Sequence, residues 1–268
     1  MNKFYIQIVF FLLNVSVYLN NKTLATDPAP EDPKTKSKKH YATSEEIYEQ
    51  NKHLLCANPE EIENAEKLMN EAVTHLEYHA TCKDGYEPYG NSSECSSLSY
   101  YKKKHEDHTD VLKANYKFYE SDVYNGIAGL LWDPHHADFS NPGSIKRKIV
   151  RVYNPNLVMI QQRYKSWFGG SEKYFYALLK KAQIEDATII VMASANINDN
   201  NPSENEYKNT IIKNANLFTT DIDSEDDIRK GKLKKLFVNI AGYLVENKSR
   251  FVDMTHVESV SDMQILIT

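Results

Sequence analysis

The sequence predicts an α+β fold in which a curved antiparallel sheet is packed by an N-terminal helix. Residues 145–260 carry five stretches rich in Val, Ile, Tyr and Phe, separated by Asn, Asp, Gly and Pro clusters. Such β-branched and aromatic content suits a pleated, half-buried backbone. A single long pattern of apolar residues at three- and four-residue spacing, 59–80, precedes them. No nucleophile, metal-ligand or phosphate-loop motif lies among the strands, so function is to be sought in a cavity. The stretches are 145–154, 157–165, 173–182 with 188–195, 209–219, and 236–246 with 251–260.

With 268 residues, 41% hydrophobic and 26% charged, the chain can bury one sizeable core, which fits one domain plus tails and excludes a wholly disordered chain. The formal net charge is −5; residues 1–25 hold Lys3, Lys22 and no acid, so cleavage there would take it to −7. That balance argues against nucleic acid as a partner.

Residues 1–25 read as a signal peptide. Lys3 precedes an apolar run from Phe4 to Leu19, interrupted by Gln7, Asn14 and Ser16, and Thr23-Leu24-Ala25 offers small residues before a cut after Ala25. A membrane anchor is the alternative, but the run falls short of the roughly 20 apolar residues that span a bilayer. Residues 26–44, with Pro28, Pro30, Pro33 and the run Lys34-Thr35-Lys36-Ser37-Lys38-Lys39, are expected to be a disordered linker. A basic patch for anionic head groups is the other reading of that run. The domain then occupies 45–268.

Three cysteines, Cys56, Cys82 and Cys95, follow the signal and enter an oxidising compartment if the chain is secreted. Cys82 and Cys95 flank a loop rich in Gly, Pro, Asn and Ser and are a candidate disulfide; three unpaired thiols is the alternative. Asn58-Pro59-Glu60-Glu61 places a cap, a Pro at the first helical position and an acid at the third. Behind it Ile62, Ala65, Met69, Ala72, Val73 and Leu76 form one apolar face, with the helix expected to end near Ala80. A shorter helix is expected over 121–132, carrying Val123, Ile127, Leu130 and Leu131 and weakened by Gly126 and Gly129. Residues 97–103 and 112–119 read as strands.

Several candidate sites fail on spacing. His75 and His79 share a helix face, but Glu77 stands where a zinc-protease motif does not want it, so packing or solvent is the reading. The acidic segment 221–227 has Asp226 where a calcium loop needs Gly and Lys232 where it needs the bidentate Glu, and is expected to be a solvated loop. His105, His108, His135 and His136 lie in polar sequence and are expected to be exposed. No cofactor and no catalytic role is assigned.

The order of elements, closing the short helix on Leu131-Trp132-Asp133 before an antiparallel run, resembles the StAR-related lipid-transfer (START) domain. Longer phrases resemble the fam-a family of rodent malaria parasites. They are Ser44-Glu45-Glu46-Ile47-Tyr48, the run Tyr153-Asn154-Pro155-Asn156-Leu157-Val158-Met159-Ile160-Gln161-Gln162-Arg163-Tyr164, and Ile212-Lys213-Asn214-Ala215-Asn216-Leu217-Phe218. The resemblance implies a START-like helix-grip fold and a secreted lipid-binding protein, exported to the parasitophorous vacuole or host erythrocyte, with phosphatidylcholine transfer as its activity and transient membrane contact. A lipid needs a long apolar recess with a few polar groups for its head. Alternation along 145–153 puts Arg151 and Tyr153 with Ile149, and Val150 and Val152 opposite. Arg151 is then a candidate for a phosphate, and Tyr153 or Trp132 for a choline-like cation. Met159, Gln161, Tyr174, Tyr176 and Met192 complete the candidates. An Arg paired with an acid and aromatics filling core are the alternatives.

The chain departs from that pattern in three ways. Lys173-Tyr174 stands where many START domains open a central strand with Arg-Asp. Lys22-Thr23-Leu24-Ala25-Thr26 lacks the Arg and the final acid or amide of the usual export signal. The closing C-terminal helix is expected to be missing or truncated, since residues 261–268 supply barely two turns. The second functional reading is accordingly a host-interaction protein, with a red-cell protein as partner, on a START scaffold that has lost transfer.

Overall fold

A computed structural model describes residues 42–89, 98–106, 109–119, 123–134, 144–165, 172–201 and 207–261. Helix α1 (Ser44–Gln50) opens on a capping box: the Thr43 hydroxyl accepts the Glu46 N–H while the Glu46 carboxylate accepts the Thr43 N–H. It starts where the linker was expected to end; residues 26–41 lie outside the described residues. Helix α2 (Pro59–Thr81) is capped by the Asn58 side-chain oxygen, which accepts the N–H groups of Glu60 at 3.0 Å and Glu61 at 3.4 Å. Its inner face, Ala65, Leu68, Met69, Ala72 and Leu76, is fully buried.

The strands are β1 (Glu87–Pro88), β2 (Leu98–Lys104), β3 (Asp110–Phe118), β4 (Ser144–Asn154), β5 (Leu157–Lys165), β6 (Lys173–Ile184), β7 (Ala187–Ala193), β8 (Asn196–Asn198), β9 (Thr219–Asp221), β10 (Lys234–Lys235), β11 (Val238–Asn247) and β12 (Val252–Val260). Helix α3 (Tyr124–Trp132) joins β3 to β4, and a single turn, α4 (Asp226–Arg229), precedes β10. The main sheet runs β1-β2-β3-β12-β11-β7-β6-β5-β4, antiparallel throughout, with β10 laid parallel beside the start of β6. Strands β8 and β9 form a small parallel pair. At Gly242 of β11 an added Cβ would lie 2.2 Å from the Ile190 carbonyl oxygen of β7, so a side chain there would force the two strands apart.

The expected strand over 209–219 is corrected. Only Thr219 of it is in a strand, and Lys213–Asn216 is a 3₁₀ turn. The Asn209 side-chain oxygen accepts the N–H groups of Ile211 and Ile212, and its amide donates to the Asn239 carbonyl at 2.8 Å. Such local side-chain bonds offer the backbone an alternative to a ladder. Ile211, Ile212 and Phe218 are nevertheless buried, which is why the segment is so apolar.

Two apolar layers result. On one face α2 lies across β6, β7, β11 and β12, and the excursion between β7 and β10 extends the cover. On the other face α3 packs on β7 and β11, and Ile47 of α1 joins the same cluster. Leu76→Ala, which removes a fully buried side chain of α2, is expected to lower the unfolding free energy by about 2–5 kcal/mol in urea denaturation. Among the described residues no helix is long and apolar enough to cross a membrane.

Candidate functional site

The sheet separates the eight sequence-predicted contacts. Under α2 and the excursion lie Arg151, Tyr153, Met159, Gln161, Tyr174 and Tyr176; on the opposite face lie Trp132 and Met192. The expected pairing of Arg151 and Tyr153 with Ile149 is corrected by two register shifts in β4, at Ile149/Arg151 and Val152/Asn154. An extra residue resets which way each later side chain points. Ile149 and Val152 therefore share the face away from α2, while Val150 and Tyr153 point toward it.

The six residues under α2 are engaged within the chain. Arg151 donates to Glu61 of α2 at 2.7 Å and to the Asp221 carbonyl at 2.9 Å, and the Tyr153 hydroxyl donates to the same Glu61 carboxylate at 2.8 Å. Gln161 donates to the Tyr176 hydroxyl at 2.6 Å and to Glu225 at 2.7 Å. Tyr174 donates to Asp199 at 2.9 Å, and Met159 is fully buried. The acidic segment expected to be solvated is docked instead. Arg163 grips Asp227 with two bonds, at 2.7 and 3.1 Å, and Lys148 pairs with Glu225. Against the upward push of burial, Lys148 and Gln161 hold the Glu225 carboxyl down at about 2. An open depression of about 560 Å³ beside these groups is lined by Lys146, Arg147, Lys148, Gln161, Arg163, Glu225, Asp226 and Asp227.

His79 is buried with its Nδ1 2.9 Å from the Tyr86 hydroxyl, and burial lowers it to about 4, so it packs as a neutral ring. His105, expected to be exposed, is half-buried with its ring 6.5 Å from that of His79. His108, His135 and His136 lie outside the described residues. Cys56 and Cys82 are free thiols; Cys95, the candidate partner of Cys82, lies outside the described residues.

The face opposite α2 is different in kind. Alternation along β12 turns Val252, Met254, His256, Glu258 and Val260 onto it, and the corresponding sets are Ala241, Tyr243 and Val245 of β11 and Val158, Ile160, Gln162 and Tyr164 of β5. Ile149, Tyr164, Met192, Tyr243 and Val260 are only half-buried there although they lie in the apolar cluster. Arg147, His256 and Glu258 are half-buried beside them. Burial alone drives His256 down to about 4 and Glu258 up to about 7, and burial lowers Arg147. These half-buried side chains are the candidate lining of a recess on this face.

The strands that carry this candidate lining lie far apart in the sheet. Glu258 and Tyr164 sit four strands apart, about 19 Å on a flat sheet at the usual strand spacing. Yet the Glu258 charge raises Tyr164, and it raises Tyr243 as well. Burial is the main cause of both shifts, and the Arg147 charge acts on the same two tyrosines in the opposite direction. Tyr243 stacks on His256 with centroids 4.6 Å apart, and Tyr164 packs on Phe175 at 5.8 Å. At the C-terminal end of α3 the Trp132 indole N–H is buried, 1% exposed, with no hydrogen-bond partner among the described residues. The Tyr124 hydroxyl, 2.7 Å from that of Thr188 on β7, anchors this helix over the recess.

Arg147, Tyr164, Tyr243, His256 and Glu258 were not among the sequence-predicted contacts. The signal was present in the strand pattern: Glu258 alternates with Met254 and Val260, and Arg147 with Ile145 and Ile149.

The class so defined is an α+β domain in which one long antiparallel sheet is covered by α2 on one face and by α3 on the other. No protein-family model matches the chain, and no curated protein matches it. Among solved structures the chain is similar to human StAR-related lipid transfer protein 5, at 10% identity over 74% of this chain and 82% of that one, with a TM-score of 0.49. It is similar to human STARD10 at 10% identity over 70% and 66%, TM-score 0.48. It is also similar to the lipid transfer and protein localization domain of human StarD13 (DLC2), at 16% identity over 70% and 81%, TM-score 0.42.

Proposed function

We propose that the protein binds a phospholipid, phosphatidylcholine, in the recess opposite α2 and carries it between membranes without covalent chemistry. The observation that carries this reading is the set of unpaired polar groups in an otherwise apolar recess. Arg147 spends only its Nε, which donates to the Gln162 side-chain oxygen at 2.7 Å; its terminal nitrogens meet no acid among the described residues. The Trp132 N–H has no partner among the described residues. Buried donors are normally bonded, and a donor left over in a recess is a place for a ligand's acceptor. Half-buried Ile149, Met192 and Val260 supply apolar surface, and each acyl CH₂ buried there would contribute about 0.8 kcal/mol. Arg147 and Gln162 then hold the phosphate, with Trp132 and Met192 as lipid contacts.

The leader-like residues 1–25 support secretion, and the resemblance to an exported family supports a destination in the vacuole or host red cell. Amino-terminal sequencing of the secreted chain, starting at Thr26, would agree with this. The lipid reading is tested by transfer of labelled phosphatidylcholine between vesicles. The chain is expected to accelerate transfer, and Arg147→Met to reduce it about tenfold or more, the usual loss for a charge-assisted contact. No transfer, together with no lipid on the protein, would overturn the reading.

A further inference from the structure

We propose that the free edge of β4, over residues 144–150, takes an added strand from a partner protein: an extended acidic segment whose carboxylates pair with Lys146 and Lys148. This site is separate from the recess and does not depend on what the recess holds.

The main sheet has two edges, and they are finished differently. One ends in β1, only Glu87–Pro88 long and carrying a proline, which blunts it against further pairing. The other ends in β4, Ser144–Asn154, which has no proline and forms a ladder with β5 on one side only. Toward its C-terminal end this edge already accepts main chain: the Cys56 N–H donates to the Val152 carbonyl at 2.8 Å, and Leu55 forms a parallel bridge there. Over 144–150 the main-chain groups on that side have no partner among the described residues. An unpaired edge offers main-chain donors and acceptors to an incoming strand, and the side chains along it decide which strand fits.

Those side chains are basic. Lys146 and Lys148 lie opposite Arg163 and Gln161 in the β4–β5 register, so the four share a face, and all four line the depression of about 560 Å³. The acids of that depression are already engaged: Glu225 with Lys148 and Gln161, Asp227 with Arg163, and Asp226 with Arg229 and Lys230. Lys146 is exposed and makes no ion pair among the described residues. The Lys148 side chain is 51% exposed, and its ammonium has donors beyond the one given to Glu225. A second copy of the chain would bring the run Lys146-Arg147-Lys148 against itself, and like charges on adjacent strands disfavour that pairing. A strand with Asp or Glu at alternate positions sets them beside Lys146 and Lys148, and its intervening apolar side chains beside Ile145 and Ile149 on the other face.

The test adds labelled peptides of about eight residues to the full chain and follows fluorescence anisotropy and amide hydrogen exchange. A peptide alternating Glu and Val is expected to bind about tenfold or more tightly than one alternating Lys and Val, and to slow exchange of the amides in 144–150 about tenfold. Lys146→Glu, at an exposed side chain, is expected to remove most of that preference with the melting temperature unchanged. Replacing the central Val residues of the acidic peptide by Pro keeps its charge but forbids a ladder, and should abolish binding. Equal binding of the Pro-containing peptide or of the Lys peptide would overturn the inference, as would exchange in 144–150 that saturating acidic peptide leaves unchanged. Uptake of the chain by anionic vesicles, with no peptide bound, would assign the basic run to a membrane surface and overturn it as well.

Discussion

Asp199→Ala is expected to lower the unfolding free energy by about 3–5 kcal/mol, the range for breaking a buried ion pair from one side. Asp199 is 1% exposed, and it accepts from Lys235 at 2.8 Å and from the Tyr174 hydroxyl at 2.9 Å. Its carboxylate also accepts the Asn201 N–H at 3.2 Å. These bonds tie the turn after β8 to β6 and β10, and so hold the excursion onto the sheet. Removal leaves the Lys235 ammonium, itself well buried, without its counter-charge and the Tyr174 hydroxyl without its acceptor. Asp199→Asn retains an acceptor for Tyr174 and should cost less. Asp199→Ala combined with Lys235→Met should recover part of the loss, because no unpaired charge remains. Urea denaturation of the four proteins at pH 7 measures this; a loss under about 1 kcal/mol for Asp199→Ala would show that the buried pair does not hold the excursion.

Glu258→Gln is expected to be more stable than wild type by about 3 kcal/mol at pH 8 in the empty protein, the difference shrinking below about 1 kcal/mol at pH 5. Burial lifts the Glu258 carboxyl from 4.5 to about 7 in the fold. Below 4.5 both folded and unfolded chains carry the proton and no penalty exists. As pH rises toward 7 the unfolded chain ionises first, and above 7 the folded chain bears the full cost of a buried charge. His256 acts with the opposite slope. It is lowered from 6.5 to about 4, so its contribution is intact above 6.5 and is lost as pH falls toward 4. The Glu258 and Arg147 charges both act on Tyr164 and Tyr243. Both tyrosines are raised well above their usual range and stay neutral, and Arg147, though lowered, keeps its charge. The variant should therefore expose the His256 slope in mild acid. A stability difference that does not change with pH would show that Glu258 is solvated.

Helix α2 was legible in detail because its signals are local: Asn58 and Pro59 mark its start and the apolar spacing marks its face. Strands β4 to β7, β11 and β12 were legible from their β-branched residues for the same reason. The segment 209–218 was not, because its buried Ile and Phe look like a strand while Asn209 bonds the backbone locally. The site was half legible. Composition pointed to a recess lined by apolar and aromatic residues, but two bulges in β4 moved Arg151 and Tyr153 to the face under α2. Alternation fixes relative faces only while the register is unbroken. Glu258 and Arg147 lie on strands far apart in sequence, and their shared face follows only from the register of the folded sheet.

The most direct test of a lipid-carrying recess is a native mass spectrum of the secreted protein after incubation with phosphatidylcholine vesicles. A mass excess equal to one phospholipid, lost on denaturation and identified as phosphatidylcholine, is the expected result. The mass of the bare polypeptide alone, under conditions where the fold is intact, would contradict it.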